Sequence, residues 1–80
     1  MQYDTLTARV VRYVHDADLA GRAVWAGDIV ERFGIERRLA TMTLGHCYRR
    51  RWLMRWRVGR RYYYALTERG DRFIEWLAAA

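Results

Sequence analysis

The sequence predicts an α+β fold: a three-helix core, a β-hairpin and a C-terminal helix. Three observations predict it. Apolar residues recur at helical spacing through the first half of the chain. Glycines stand where those patterns break, at Gly21 and Gly34. Two runs of strand-forming residues, "WLMRWRV" and "YYYALT", flank Gly59.

The elements follow in order. Over residues 4–17, "DTLTARVVRYVHDA", Leu6, Val10, Tyr13, Val14 and Ala17 share a stripe, and Asp4 or Thr5 is the N-cap. Arg9, Arg12 and His15 fall on the other side. "DLAGRAV" is a loop broken at Gly21, with Val24 in a short extended contact. Residues 25–34, "WAGDIVERFG", form a short helix that turns Ile29, Val30 and Phe33 inward and stops at Gly34. Its start lacks a cap, because neither Trp25 nor Ala26 has a side-chain oxygen. Residues 35–50 form a third helix, with Ala40, Leu44 and Cys47 on its buried stripe. It ends near Arg50, since Arg51 would rotate back onto that stripe.

In the hairpin, a loop of Gly59–Arg61 pairs Val58 with Tyr62, Trp56 with Tyr64 and Met54 with Leu66. That register collects these apolar residues on one face and puts Arg55, Arg57 and Tyr63 on the other. Tyr62 and Tyr64 then close the core, while Tyr63 supports Arg55 or Arg57 by stacking. Thr67 caps the last helix, which buries Phe73, Ile74 and Leu77.

Length and composition bound the rest. Eighty residues make one domain, residues 1–80, and a hydrophobic content of 52% excludes a disordered chain. Four Trp and six Tyr exceed what a core of this size hides, so some belong at a surface or a partner contact. The net charge is +6, and every basic residue is arginine. Arginine matches phosphate with a planar fork and stacks on rings; a codon or temperature bias of the source explains the preference equally well. The balance suits nucleic acid or an anionic membrane surface. Cys47 is alone, so no disulfide forms within the chain. No apolar run is long enough to span a membrane, and Met1 is followed by polar residues rather than a signal peptide. A cytoplasmic protein is expected.

The order helix, turn, helix, glycine turn, helix, basic-tipped hairpin, helix resembles the winged helix-turn-helix family over almost the whole chain. "DIVERFGI" is similar to the family's second helix and turn. "RRLATMTLGHCYRR" is similar to its recognition helix. "WLMRWRVGRRYYYALTERG" resembles its wing, including a frequent "R-x-Y-Y-x-L-T-x-x-G" ending; small regulators of the MarR and PadR type carry similar wings. Two positions depart from the pattern: Arg51 stands where Gly is frequent, and Glu36 where a Ser or Thr cap is frequent. The resemblance implies sequence-specific binding of double-stranded DNA, with the third helix in the major groove and the wing beside it.

Particular residues fit that expectation. Steps of about 100° from Ala40 place Arg38, Met42, Gly45 and Arg49 on the exposed side of the third helix, flanked by Thr41 and His46. Arg38 suits guanine, and Thr41 or Met42 a thymine methyl. Arg49 and Arg50 suit phosphates, Arg37 is a further candidate nucleic-acid contact, and Gly45 permits a close backbone approach. Arg57, Arg60 and Arg61 crowd the wing tip without acidic neighbours, which points to phosphate or the minor groove. The plain alternatives are a solvated arginine face, a Met42 that is simply exposed or meets a second subunit, and a Gly45 that is tolerated or set against a neighbouring side chain.

Catalysis finds no support: His15 and His46 lack triad partners, and His46-Cys47 is not a metal signature. No cofactor, metal, membrane or small-molecule ligand is expected. A transcriptional regulator acting as a homodimer is expected. Surplus apolar groups on the terminal helices, Tyr3, Leu6, Val11, Tyr13 and Trp76, would form the dimer interface, unless Trp76 folds back onto Tyr3 within one chain. The alternative function is a winged helix used for protein–protein contact in a transcription or replication assembly.

Overall fold

A computed structural model describes residues 5–79. Its elements are α1 (Leu6–Leu19), α2 (Ala26–Phe33), α3 (Arg37–Arg49), β1 (Leu53–Val58), β2 (Arg61–Leu66) and α4 (Glu68–Ala79). The expected α+β order is the observed one. Val10, Val11 and Val14 of α1, Ile29 of α2, and Ala40, Leu44 and Cys47 of α3 meet in one fully buried cluster, closed by Leu53 and Tyr64 of the hairpin. Full burial is worth about 1.5–3 kcal/mol for each Val, Leu or Ile, so this cluster is the main driving force for folding.

Thr5 is the cap of α1: its Oγ1 accepts from the Ala8 N–H at 3.1 Å. α2 stops before Gly34, as expected, whereas α1 runs two residues into the expected loop, to Leu19, before Gly21 breaks it. Trp25 makes no side-chain cap at α2, since an indole N–H only donates; the Asp28 carboxylate instead accepts from the Trp25 backbone N–H at 3.2 Å. α3 ends one residue before Arg50, and Arg51 then takes a left-handed conformation with φ of 63°. The Trp52 N–H donates to Cys47 O at 3.0 Å and the Arg51 N–H to Tyr48 O at 2.9 Å, which closes the helix end. A non-glycine residue there costs about 1 kcal/mol relative to glycine.

The hairpin register differs from the expectation. The pairs are Leu53 with Leu66, Met54 with Ala65, Arg55 with Tyr64, Trp56 with Tyr63, Arg57 with Tyr62 and Val58 with Arg61. The loop is therefore only Gly59 and Arg60. Turn chemistry explains the result. A three-residue loop needs its left-handed residue last, at Arg61, whereas a two-residue loop accepts a glycine first; Gly59 has φ of 61°. The shift exchanges the faces of β1 but not those of β2. Leu53 enters the core and Tyr64 is buried as expected, while Met54, Trp56 and Val58 are exposed, as is Tyr62.

Val24 makes the expected extended contact. It is fully buried and pairs with Tyr64 through two backbone hydrogen bonds of 3.0 and 2.7 Å, a one-residue third strand.

At α4, Thr67 Oγ1 accepts from the Gly70 N–H at 2.9 Å and reaches the Trp52 carbonyl at 2.9 Å. A Cβ on Gly70 would lie 2.1 Å from that same carbonyl oxygen. Leu77 is buried, and Phe73 and Ile74 are half-buried against the core; the Phe73 ring stacks on Trp52 at 3.9 Å.

The terminal-helix surplus shrinks. Val11 is fully buried, because α1 is covered by α3, β2 and α4. Tyr13 is half-buried against Phe33, with ring centroids 5.9 Å apart, and Leu6 also lies against the core. Trp76 is 55% exposed and stacks on Phe73 at 5.9 Å. Tyr3 lies outside the described residues.

Candidate nucleic-acid interface

Charge is sorted along this chain. From Arg37 to Thr67 there are nine arginines and no acidic residue. The remainder holds the other six arginines against all nine acidic residues, a net charge of −3. The fold turns this sorting into a surface, because α3 and the hairpin are neighbours packed on one another. Among the described residues, no arginine of α3 or of the wing has a carboxylate within 4.0 Å.

On α3, Arg37, Arg38, Thr41, Met42 and Arg49 are exposed, Met42 at 58%, and so is Arg50 at its C-cap. His46 is exposed too, and its ring meets the edge of Trp52 at 6.2 Å. Gly45 is a correction: its backbone is buried, and a Cβ there would meet Arg49 Nη1 at 3.4 Å. The Arg49 side chain thus covers the gap that the sequence offered for close backbone approach. Burial pushes the Cys47 thiol up to about 12, so Cys47 stays protonated and serves as core.

Arginines of this surface rest on aromatic rings. Arg37 lies 5.0 Å and Arg61 3.7 Å from the Trp25 ring centroid. Arg55 lies 4.0 Å from the Tyr48 ring and 4.6 Å from the Tyr62 ring, and Arg50 lies 5.2 Å from the Trp52 ring. A hydrogen bond to the Tyr64 side chain raises the pKa of Arg55 further. A guanidinium held by its face keeps its in-plane N–H donors for another partner. The predicted stacking of Arg55 or Arg57 on Tyr63 is replaced: Tyr63 stacks on Trp56 at 6.5 Å, and the Arg57 Nε–H donates to Gly59 O at 2.9 Å across the turn.

The structure brings some predicted residues together and separates others. Arg37, Thr41, Arg60 and Arg61 line one cleft of about 450 Å³ with Trp25. Arg49 borders a different depression beside Tyr48 and Met54. Trp25, Tyr48 and Tyr62 were not among the predicted site residues. The aromatic surplus and the arginine-only basic set signalled such ring contacts, but not which rings. Among the described residues, no group of three or more His, Cys, Asp and Glu could hold a metal ion, and no helix is long and apolar enough to cross a membrane.

This architecture is the winged helix-turn-helix fold. No family model and no curated protein matches the chain. Solved structures do. An A103V mutant of MepR from Staphylococcus aureus superposes with a TM-score of 0.85 at 16% identity, covering 94% of this chain and 54% of that one. MepR in complex with DNA gives 0.80 at 16% identity, over 91% and 53%. AF1382 from Archaeoglobus fulgidus gives 0.84 at 12% identity, over 96% and 85%. PcaV, a transcriptional regulator from Streptomyces coelicolor solved with its natural ligand, gives 0.78 at 22% identity, over 98% and 55%. The present chain thus spans about half the length of the MepR and PcaV chains. At these identities the likeness is one of fold.

Proposed function

We propose that this protein binds double-stranded DNA sequence-specifically and acts in the cytoplasm as a transcriptional regulator, without catalytic activity. The observation that carries the reading is the surface of α3 and the wing, with nine arginines and no acid between Arg37 and Thr67. In this reading α3 enters the major groove, with Arg38, Thr41 and Met42 facing bases and Arg49 and Arg50 facing phosphates. The arginine-tipped wing follows the backbone or the minor groove. The fold shared with MepR, a protein solved in complex with DNA, supports this. Binding measured against salt tests it: affinity for duplex should fall steeply, with a slope of about −0.9 per phosphate neutralised. Binding that ignores salt would overturn the reading. Arg38→Ala should cost about 1–3 kcal/mol on the preferred duplex and much less on random duplex; equal losses would make Arg38 a backbone contact.

The reading includes a homodimer through α1 and α4, with Leu6 and Trp76 at the contact and half-sites about 34–36 Å apart. Its support has narrowed to the exposed Trp76 indole, since Val11 and Tyr13 belong to the domain's own packing. Sedimentation checks it: a monomer mass unchanged by Trp76→Ala would remove the dimer. A protein–protein role is the second reading, favoured by the outer face of the wing, where Met54, Trp56 and Val58 are exposed together.

A further inference from the structure

The cleft between α2, α3 and the wing is built around one ring. Trp25 follows Val24, which is locked to β2 by paired hydrogen bonds to Tyr64. Its indole folds back over Gly27 so closely that a Cβ on Gly27 would lie 2.2 Å from the ring. The ring is therefore pinned between the start of α2 and the wing strand. Arg37, the first residue of α3, and Arg61, the first residue of β2, both lie over it. Two arginines from different elements thus share one post, and Arg60 borders the same space.

Like charges this close repel, and no carboxylate lines the cleft. Asp28, the acid nearest Trp25 in sequence, is held by the Trp25 backbone N–H and borders a separate depression beside Tyr13 and Arg22, while Glu36, next to Arg37 at the cap position of α3, is exposed and does not line the cleft. Ala26 and Arg37, the first residues of α2 and α3, both line the cleft, and neither helix start carries a side-chain cap. The helix dipoles add to the positive potential. A volume of about 450 Å³ is far more than one water's share of about 30 Å³ and admits a phosphate with its flanking sugars.

We propose that this cleft seats a single phosphodiester of duplex DNA, gripped jointly by Arg37 and Arg61, with Trp25 as the positioning residue on whose ring both guanidiniums rest. The proposal rests on the DNA-binding reading above. It makes the start of α3 and the wing one grip rather than two independent contacts.

The test titrates a labelled duplex of random sequence with the full chain across a range of salt. Arg37 and Arg61 are exposed, so their alanine variants leave the core intact. The pair share one phosphate, so removing both should lower the slope of log affinity against log salt by about 0.9 in total. A drop of about 1.8 would mean two separate phosphates, and no drop would mean none; either overturns the seat while the DNA reading stands. Trp25→Leu should weaken binding about three- to tenfold, and Trp25→Tyr, which keeps a ring, should restore most of it. Equal losses in the Leu and Tyr variants, both with native circular dichroism, would remove Trp25 from the role. Failure of the unaltered chain to bind duplex at low salt would overturn the DNA-binding reading, and the seat with it.

Discussion

The two ends of the hairpin do different work. At its base, Leu53 and Tyr64 are buried, Thr67 is bonded to the Trp52 carbonyl, and Gly70 rests against that carbonyl. At its tip, Val58, Arg60, Arg61 and Tyr62 are exposed, and the charges there have no acidic partners among the described residues. One pair of six-residue strands therefore passes from scaffold to candidate contact surface along its length. The string that most resembles a family wing, "R-x-Y-Y-x-L-T-x-x-G", starts at the tip with Arg61 and ends at the scaffold end with Thr67 and Gly70. Its Thr and Gly are fixed by how α4 docks on Trp52, so the resemblance in those residues concerns the fold more than the ligand.

Substitutions at the two ends should separate these roles. The largest effect is expected at Gly70. In a free helix, Ala would be favoured over Gly by about 1 kcal/mol. Here its Cβ would collide with the Trp52 backbone, so Gly70→Ala should destabilise by about 3 kcal/mol. A denaturant midpoint that rises instead would show that the base is not tightly docked. Thr67→Ala removes the cap and the hydroxyl contact to Trp52 and should cost about 0.5–2 kcal/mol, read as a lower thermal midpoint with duplex affinity unchanged once folded. Arg51→Gly relieves the left-handed strain at the entry to β1 and should stabilise by about 1 kcal/mol. Destabilisation there would mean that the arginine side chain makes a compensating contact. At the tip, Arg60→Ala combined with Arg61→Ala should change stability by less than about 0.5 kcal/mol, yet weaken binding to all duplexes by similar factors and flatten the salt slope. A large stability loss would end the contrast between base and tip.

The same contrast explains what could be read in advance. The α3 stripe of Ala40, Leu44 and Cys47 was legible because helical spacing alone fixes which residues share a face. The strand faces were misread because a sheet period of two makes the whole assignment hinge on one residue of loop length. The deciding signal was present in Gly59, whose place at the front of the loop suits two residues and not three. At Gly45 the structure favours the alternative of a neighbouring side chain over close backbone approach: helix geometry gives direction, but not whether a neighbour such as Arg49 folds over the gap. Spacing puts Tyr62 in the core, but it is 44% exposed and supports Arg55 instead.

Local chemistry in the sequence determined the helices, their caps and stops, the hairpin's place in the chain, and the sorting of arginines away from acids. Each depends on residues a few positions apart, or on a count. The tertiary structure alone decided which rings hold which arginines. Trp25 lies twelve positions before Arg37 and thirty-six before Arg61, and only the packing of α2 beside α3 and the pairing of Val24 with Tyr64 bring the three together. Such contacts arise from the closure of the fold around its core, and no spacing along the chain encodes them.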